Sequence, residues 1–493
     1  MFKFPTNIFA GDLSDKNSAV LVSGVSKDTI VSSTLCKVKS SLSFLVGVSL
    51  LSVSLLLVGC GGSGDEDEGV DNVVVEPTTP PPPPPVVEKG YYSVVFYDKD
   101  LNYLGFEQVL EGSNANITDI RKKLELGGSL WYAAGGSTNV AYNENYPING
   151  NVNLYAVAGV AEINTQAKLY AIVNNPAGKY ILTSDIELSI DAASGWEPIS
   201  IFKGILSGGA SHHVINGLWT NRNTANVGLF GVLDGAQVKN LGVVLLQGRG
   251  IRGGQYTGGI AGRLINTSHI SDSYVIGDVS GDISSSIGGD RIGGIAGRIE
   301  SGSKVTGSYS AGSVKGYERV GGLVGQMLNN CEISNSYSTA DVEATGYYAG
   351  GILGAFEVLD PNSKLFNTYA RGRIKANGEF GGIVGWAYGE VISNVAINPS
   401  VKHNNNALLG NRVIGYADVV FTTFKNNLAF EGMTGRNDEV GNFIRSNVER
   451  NHGISKSDDA LKKMTTYEAI GWNFTRIWSI DEKIDYPRLK WER

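Results

Sequence analysis

The chain has 493 residues, enough for several modules and a sizeable core. Charged residues make up 18% and the formal net charge is −7, which argues against a nucleic-acid face, because that needs a clustered excess of Lys and Arg. The 65 glycines are a high count, and the repeats described below account for it.

Residues 1–40 carry little pattern. Lys37 and Lys39 precede the charge-free run Ser41–Gly59, which ends in Leu57-Val58-Gly59-Cys60. A basic flank, an apolar core and small residues before a cysteine resemble a bacterial lipoprotein signal with its lipobox. The resemblance implies a signal region over 1–59, a lipid on the Cys60 thiol, and a membrane partner reached through that lipid. An uncleaved span is disfavoured because the apolar run stops at small residues. Residues 1–36 are long for a secretory leader, so translation is expected to start nearer Lys37. With Cys36 removed and Cys60 lipidated, Cys331 has no disulfide partner within the chain. Residues 60–89 then read as a stalk: GGSGDEDEG stays solvated, and Pro80–Pro85 forms a stiff polyproline rod.

Residues 90–158 read as a small module. Tyr92–Phe96, Gly105–Leu110, Leu130–Tyr132 and Val152–Ala156 have strand patterns, and Thr118–Leu126 has a helical one. The order resembles the internalin B-repeat modules of bacterial surface proteins, which implies a β-grasp-like fold. The family's Asn-Gly-Gly turn is replaced here by Asp98-Lys99-Asp100. Tyr91, Tyr97, Tyr103, Tyr142 and Tyr146 read as packing residues before they read as a binding surface.

Residues 163–226 open a longer structure, with Gln166–Val173 as a capping helix over an otherwise exposed edge. From Val227 to Gly415 one phrase recurs about every 30 residues, a solenoid period. It is a glycine pair, an aliphatic residue, any residue and a glycine: Gly258–Gly262, Gly293–Gly297, Gly321–Gly325, Gly350–Gly354 and Gly381–Gly385. A second phrase follows each, as in Ile270–Tyr274, Val305–Tyr309, Ile333–Tyr337 and Leu365–Tyr369. A third aliphatic position lies beyond: Val279, Val314, Val342, Ile374 and Val401. Three short β runs per repeat separated by Gly, Ser and Asn turns predict an all-β chain built as a right-handed parallel β-helix, three strands per coil, preceded by the β-grasp-like module. One coil cannot bury its apolar side alone; stacked coils bury it on each other. Val238, Ile270, Val305, Ile333, Leu365 and Ile392 are expected to form an internal ridge, and Tyr274, Tyr309, Tyr337 and Tyr369 a second column. Asn240, Asn335, Asn367 and Asn394 are expected to form a third, broken by Asp272 and Gly307, serving turns.

The glycine phrases resemble the GLUG-motif repeats of bacterial surface adhesins and some IgA-cleaving metallopeptidases. The resemblance covers 227–415 and implies a surface-exposed binding scaffold, with a host or neighbour-cell glycan or protein as ligand and the cell envelope, outer membrane included, as location. The repeat domain is placed at 227–430, with a polar loop and C-terminal cap over 431–493. The sequence leaves the repeat over 416–454, and a long excursion from a solenoid is a candidate binding loop. Its candidate residues are Arg436, Asn437, Asp438, Glu439, Arg450 and His452. Beyond it, Asp458 is a candidate helix N-cap.

Chemistry is sparse. None of the five histidines, His212, His213, His269, His403 and His452, sits in an HExxH arrangement, and neither a nucleophile elbow nor a phosphate loop occurs. No cofactor and no catalytic residue is expected, and the chain is read as not an enzyme. The rivals are a carbohydrate-active lyase or hydrolase using a groove along the helix, and a structural envelope lipoprotein. A groove with carboxylates unpaired to Lys or Arg favours the enzyme; an exposed aromatic or polar stripe favours the scaffold. Asp278, Ser313, Asp341 and Arg373, and beside them Ser280, Lys315, Glu343 and Lys375, are expected to stack outward as charge ladders.

Overall fold

The computed structural model describes residues 90–114, 131–133, 147–285, 288–356, 362–405, 410–441 and 449–492. The signal region, Cys60, the stalk, the helix expected at Thr118–Leu126 and residues Tyr142 and Tyr146 lie outside them. The chain is an all-β parallel solenoid with a small mixed sheet on its N-terminal side. Among the described residues no helix is long and apolar enough to cross a membrane.

Three sheets of 16, 15 and 6 strands run along the stack. The aliphatic ridge forms by direct pairing: Val238, Ile270, Val305, Ile333 and Leu365 lie one above another. All five are fully buried. The next member is Val391, not Ile392, which pairs with Phe366 one position on. Side chains alternate faces along a strand, so this one-residue offset turns Ile392 outward. The third column, Val279–Val314–Val342–Ile374–Val401, pairs throughout.

The glycine phrase is explained by crowding. A Cβ added at any glycine of its five copies would sit closer than 3.0 Å to backbone atoms of its own or a neighbouring coil. Here the strands turn the corner so tightly that carbonyls of successive coils fill the space a side chain would need.

The turn column is also offset at its end. Asn240, Asp272, Gly307, Asn335, Asn367 and Ser393 are left-handed, conformations that Asn, Asp and Gly tolerate best. Asn394 instead joins a buried ladder in which a side chain on each coil accepts from a backbone N–H of the coil before. Ser308 accepts from Ser273 N (3.2 Å), Ser336 from Ser308 N (3.1 Å) and Asn394 from Thr368 N (3.1 Å). Cys331 is buried, and burial pushes its thiol up to about 12, which makes it an inert packing residue.

In the N-terminal sheet, strands Tyr91–Tyr97, Tyr103–Leu110, Tyr132–Ala133 and Val152–Tyr155 are ordered second, first, fourth, third, with the first and fourth parallel. Phe96 meets Trp131 edge-on at 5.2 Å in its core. The Asp98–Asn102 turn closes when Asp98 Oδ1 accepts from Asp100 N and Asn102 N, both 2.8 Å. The sheet is joined to the solenoid: Tyr97, Leu101, Tyr155, Val160, Ile181 and Ile205 form one apolar cluster. Lys239 Nζ donates to Asp100 O and to Asn102 Oδ1.

The predicted first cap is present as a helix, Gln166–Tyr170, continued by a 3-10 turn, Ala171–Asn174, with Thr165 capping Lys168 N. The C-terminal region differs from expectation. Ile414–Lys425 pairs along Val384–Ile392, and Leu428–Phe430 along Val395–Ala396, so stacking continues well past Tyr416. The N-cap of the later helix is Ser457, which accepts from Ala460 N, and Asp458 is its first residue. Residues 457–492 then run back along the flank as a strap over the tyrosine column. Tyr274, Tyr309, Tyr337 and Tyr369 stack at 5.0, 4.9 and 4.7 Å, near parallel. Trp472 Nε1 donates to Ser393 O (2.8 Å) and Trp491 Nε1 to Gly307 O (2.9 Å). The Trp-rich tail covers apolar rings that would otherwise face water, each such pair being worth about 0.5–1.5 kcal/mol beyond area burial.

Candidate binding face

Before the glycine phrases that start at Gly228, Gly258, Gly293, Gly321 and Gly350 the backbone makes a second left-handed turn, and before the copy at Gly381 it does not. Its residues are Asn226, Tyr256, Arg291, Arg319 and Tyr348, with φ of 61°, 62°, 65°, 50° and 62°. The residues that follow them stack coil on coil, Val227 on Thr257, Thr257 on Ile292, Ile292 on Val320 and Val320 on Ala349. A left-handed residue other than glycine costs about 1–2 kcal/mol. Bulky Tyr and Arg are poor choices for such a place, and the turns of the Asn240 column use the cheap ones. Strain of this kind, held in register over successive coils, points to side chains retained for use.

Beside this turn lies a strand column, Arg263, Arg298, Gln326, Ala355, Trp386 and Tyr416, each paired to the next, of which Gln326 and Ala355 are buried. The two columns interlock. The guanidinium groups of Arg263, Arg291 and Arg298 lie 5.2, 5.2 and 5.7 Å from the Tyr256 ring. Arg319 lies 5.6 Å from Tyr348, which stacks on Trp386 at 5.1 Å. Glu300 bridges Arg263 and Arg298. Asp290 bridges Arg291 and Arg319, and Glu318 pairs with Arg319 at 3.0 Å. Asp290, Glu300 and Glu318 are therefore arginine-bound, and the guanidinium planes are pinned by both rings and acids, whereas Glu379, at the next position of the turn column, keeps a buried carboxylate oxygen with no hydrogen-bond partner among the described residues. Tyr347 and Tyr416 are half-exposed at its end, 50% and 49%. The result is a strip of planar aromatic and multidentate polar groups. The strip is not among the sites expected from the sequence; its signal there is the Tyr or Arg two places before the glycine pairs at 258, 293, 321 and 350.

The expected loop residues fall on two elements. Arg436, Asn437, Asp438 and Glu439 form one exposed turn, in which Glu439 N donates to Arg436 O (3.2 Å) and Lys402 pairs with Asp438. Arg450 and His452 lie on the short helix Glu449–His452, next to Asn451, whose carbonyl accepts from Val413 N. The charge ladders point outward as expected. Ser313 Oγ donates to Asp278 at 2.7 Å, Arg373 lies 3.8 Å from Asp341, and Lys315 lies 3.2 Å from Glu343. Among the described residues no group of three or more His, Cys, Asp or Glu is placed to hold a metal.

Comparison with known proteins agrees with this architecture. The family model of the GLUG motif matches residues 316–343. No curated protein matches. A solved structure described as a putative immunoglobulin A1 protease from Bacteroides ovatus is similar at 19% identity and a TM-score of 0.42, covering 67% of this chain and 92% of that one. A second, described as IgA1 Protease, is similar at 17% identity and a TM-score of 0.48. It covers 65% of this chain, and this chain spans 24% of its length. The expectation that the chain is not an enzyme is corrected on this finding, since both are described as proteases. The likeness assigns no activity to this chain. The chain carries the GLUG motif on a parallel β-solenoid.

Proposed function

We propose that this protein is a lipid-anchored binding scaffold of the bacterial cell surface, tethered through Cys60, which engages host or neighbour-cell glycans or proteins through the strip running from Tyr256 to Tyr416. The observation that carries this reading is the choice of Tyr256, Arg291, Arg319 and Tyr348 at left-handed positions, where the chain's usual Gly or Asn is cheaper. Aromatic faces and pinned guanidinium groups on successive coils suit shallow, repeated contact, whose strength comes from multivalency. A glycan and protein array probed with the full chain tests it, comparing the native protein with Tyr256→Gly. That variant removes the ring and relieves the turn, so stability is expected to move by no more than about 1 kcal/mol, the relieved strain offsetting lost cation–π contacts. Binding is expected to fall at least about tenfold, or about 1.4 kcal/mol. Unchanged array binding would refute the strip.

A second reading, a carbohydrate-active enzyme, is favoured by one observation on the opposite flank. Asp272 is in no ion pair among the described residues, and burial raises it to about 6, within the range useful to a general acid or base. Product release scored on the same array tests it.

A further inference from the structure

Between the strap and the solenoid lies a cavity of about 480 Å³. Its floor is the first turn column: His212, Asn240, Asp272 and Gly307, all left-handed, one from each of four adjoining coils. Its other wall is the strap, which contributes Arg476, Lys490 and Trp491. The polar groups are not satisfied among themselves. His212 Nε2 is buried without a hydrogen-bond partner, although the ring is clamped parallel to Trp491 at 4.7 Å. Burial holds that imidazole neutral, lowering it to about 4. Asp272 is largely buried and in no ion pair among the described residues. Arg476 is exposed at the rim, where its guanidinium has no carboxylate partner among the described residues. Lys490 Nζ is anchored on Thr475 O at 2.7 Å. His212 Nε2 has almost no accessible surface and does not open onto the cavity; it is the carboxyl of Asp272 and the guanidinium of Arg476, each in no ion pair among the described residues, that leave room for a partner there.

The chemistry sorts by wall. The strap offers two cations, suited to one carboxylate. The floor offers an amide and a carboxyl, suited to neighbouring hydroxyls. The volume is in the range of small-ligand pockets. We infer that this cavity is a binding site for an acidic sugar unit, its carboxylate held by Arg476 and Lys490 and its ring hydroxyls by Asn240 and Asp272. The site is separate from the strip that starts at Tyr256, and occupancy does not require that the sugar be turned over.

The test is calorimetric titration of the full chain with glucuronic acid and with glucose, which differ in the carboxylate alone. Glucuronic acid is expected to bind at least about tenfold tighter than glucose. Arg476→Gln and Asp272→Asn are each expected to weaken it at least tenfold. Asn suits the left-handed turn at 272 and Arg476 is exposed, so both variants should keep the native thermal midpoint. Tyr256→Gly is expected to leave glucuronic acid binding unchanged, which separates this site from the strip. Equal binding of the two sugars, no binding of glucuronic acid, or full binding by folded Arg476→Gln would overturn the inference. So would loss of binding in Tyr256→Gly.

Discussion

A methyl group at Gly322 would meet the carbonyl of Gly351 on the next coil and the side chain of Ser338. The same clash recurs at Gly294 and Gly351, so these glycines are required for closeness and not for φ. Neither backbone can retreat without breaking a ladder, and overpacking of a tight core costs about 1–3 kcal/mol or more. Gly322→Ala is therefore expected to destabilise the chain by about 3 kcal/mol, measured by denaturant unfolding, whereas Gly150→Ala, with open space around it and no left-handed φ, should cost less. Equal effects would show that crowding is not what selects glycine. The left-handed residues make the complementary point. Asn240 and Asp272 occupy their turns at little cost, while Tyr256 and Arg319 do so at some expense.

The strap is the element that the repeat does not specify. It holds through Trp472, Trp478 and Trp491 and through Glu492, which accepts from Tyr337 Oη at 2.7 Å and from Leu489 N at 2.6 Å. Burial raises the Glu492 carboxyl to about 7 from its usual 4.5, outweighing the hydrogen bonds from Tyr337 and Leu489 and the smaller pull of Arg488, all of which lower it. The sign follows. Below about 4.5 the group is protonated whether the strap is docked or free, and docking is strongest. Between 4.5 and 7 only the free strap ionises, so docking weakens steadily; above 7 the full cost is felt, up to about 3 kcal/mol at 1.36 kcal/mol per pH unit. Hydrogen exchange of residues 457–492 is expected to speed up between pH 5 and pH 8 relative to the solenoid core, after correction for intrinsic rates. Glu492→Gln should abolish that relative change. An unaltered pH profile in the variant would rule out Glu492 as its source.

As a whole molecule the protein is a stack in which each coil buries its neighbour, so stability accumulates with coil number. Such a stack carries one strip across successive coils, with a different side chain on each. Under the proposed tethering, Cys60→Ser is expected to move the protein from the detergent phase to the aqueous phase and to abolish incorporation of a labelled fatty acid. Retention of the label would place the lipid elsewhere. Because the N-terminal sheet shares a cluster with the first coils through Tyr97, Leu101 and Ile181, the two should unfold together.

The sequence by itself determined the stack. Like residues recur at a fixed interval, and only coil-on-coil stacking lets Val305 bury Ile270 and Ile333 while Gly294 clears the next carbonyl. It erred by one position at Ile392 and Asn394, because that repeat lacks its tyrosine and only the ladder sets the register. It did not reveal where residues 457–492 lie, since a single non-repeating segment carries no period from which its docking site can be read. Nor did it reveal the strip or the cavity: Tyr256 and Arg298 are 42 positions apart, and His212 meets Trp491 across more than half the chain. The tertiary structure decided these, because winding turns distance along the chain into adjacency across coils and folds the tail back onto the first of them.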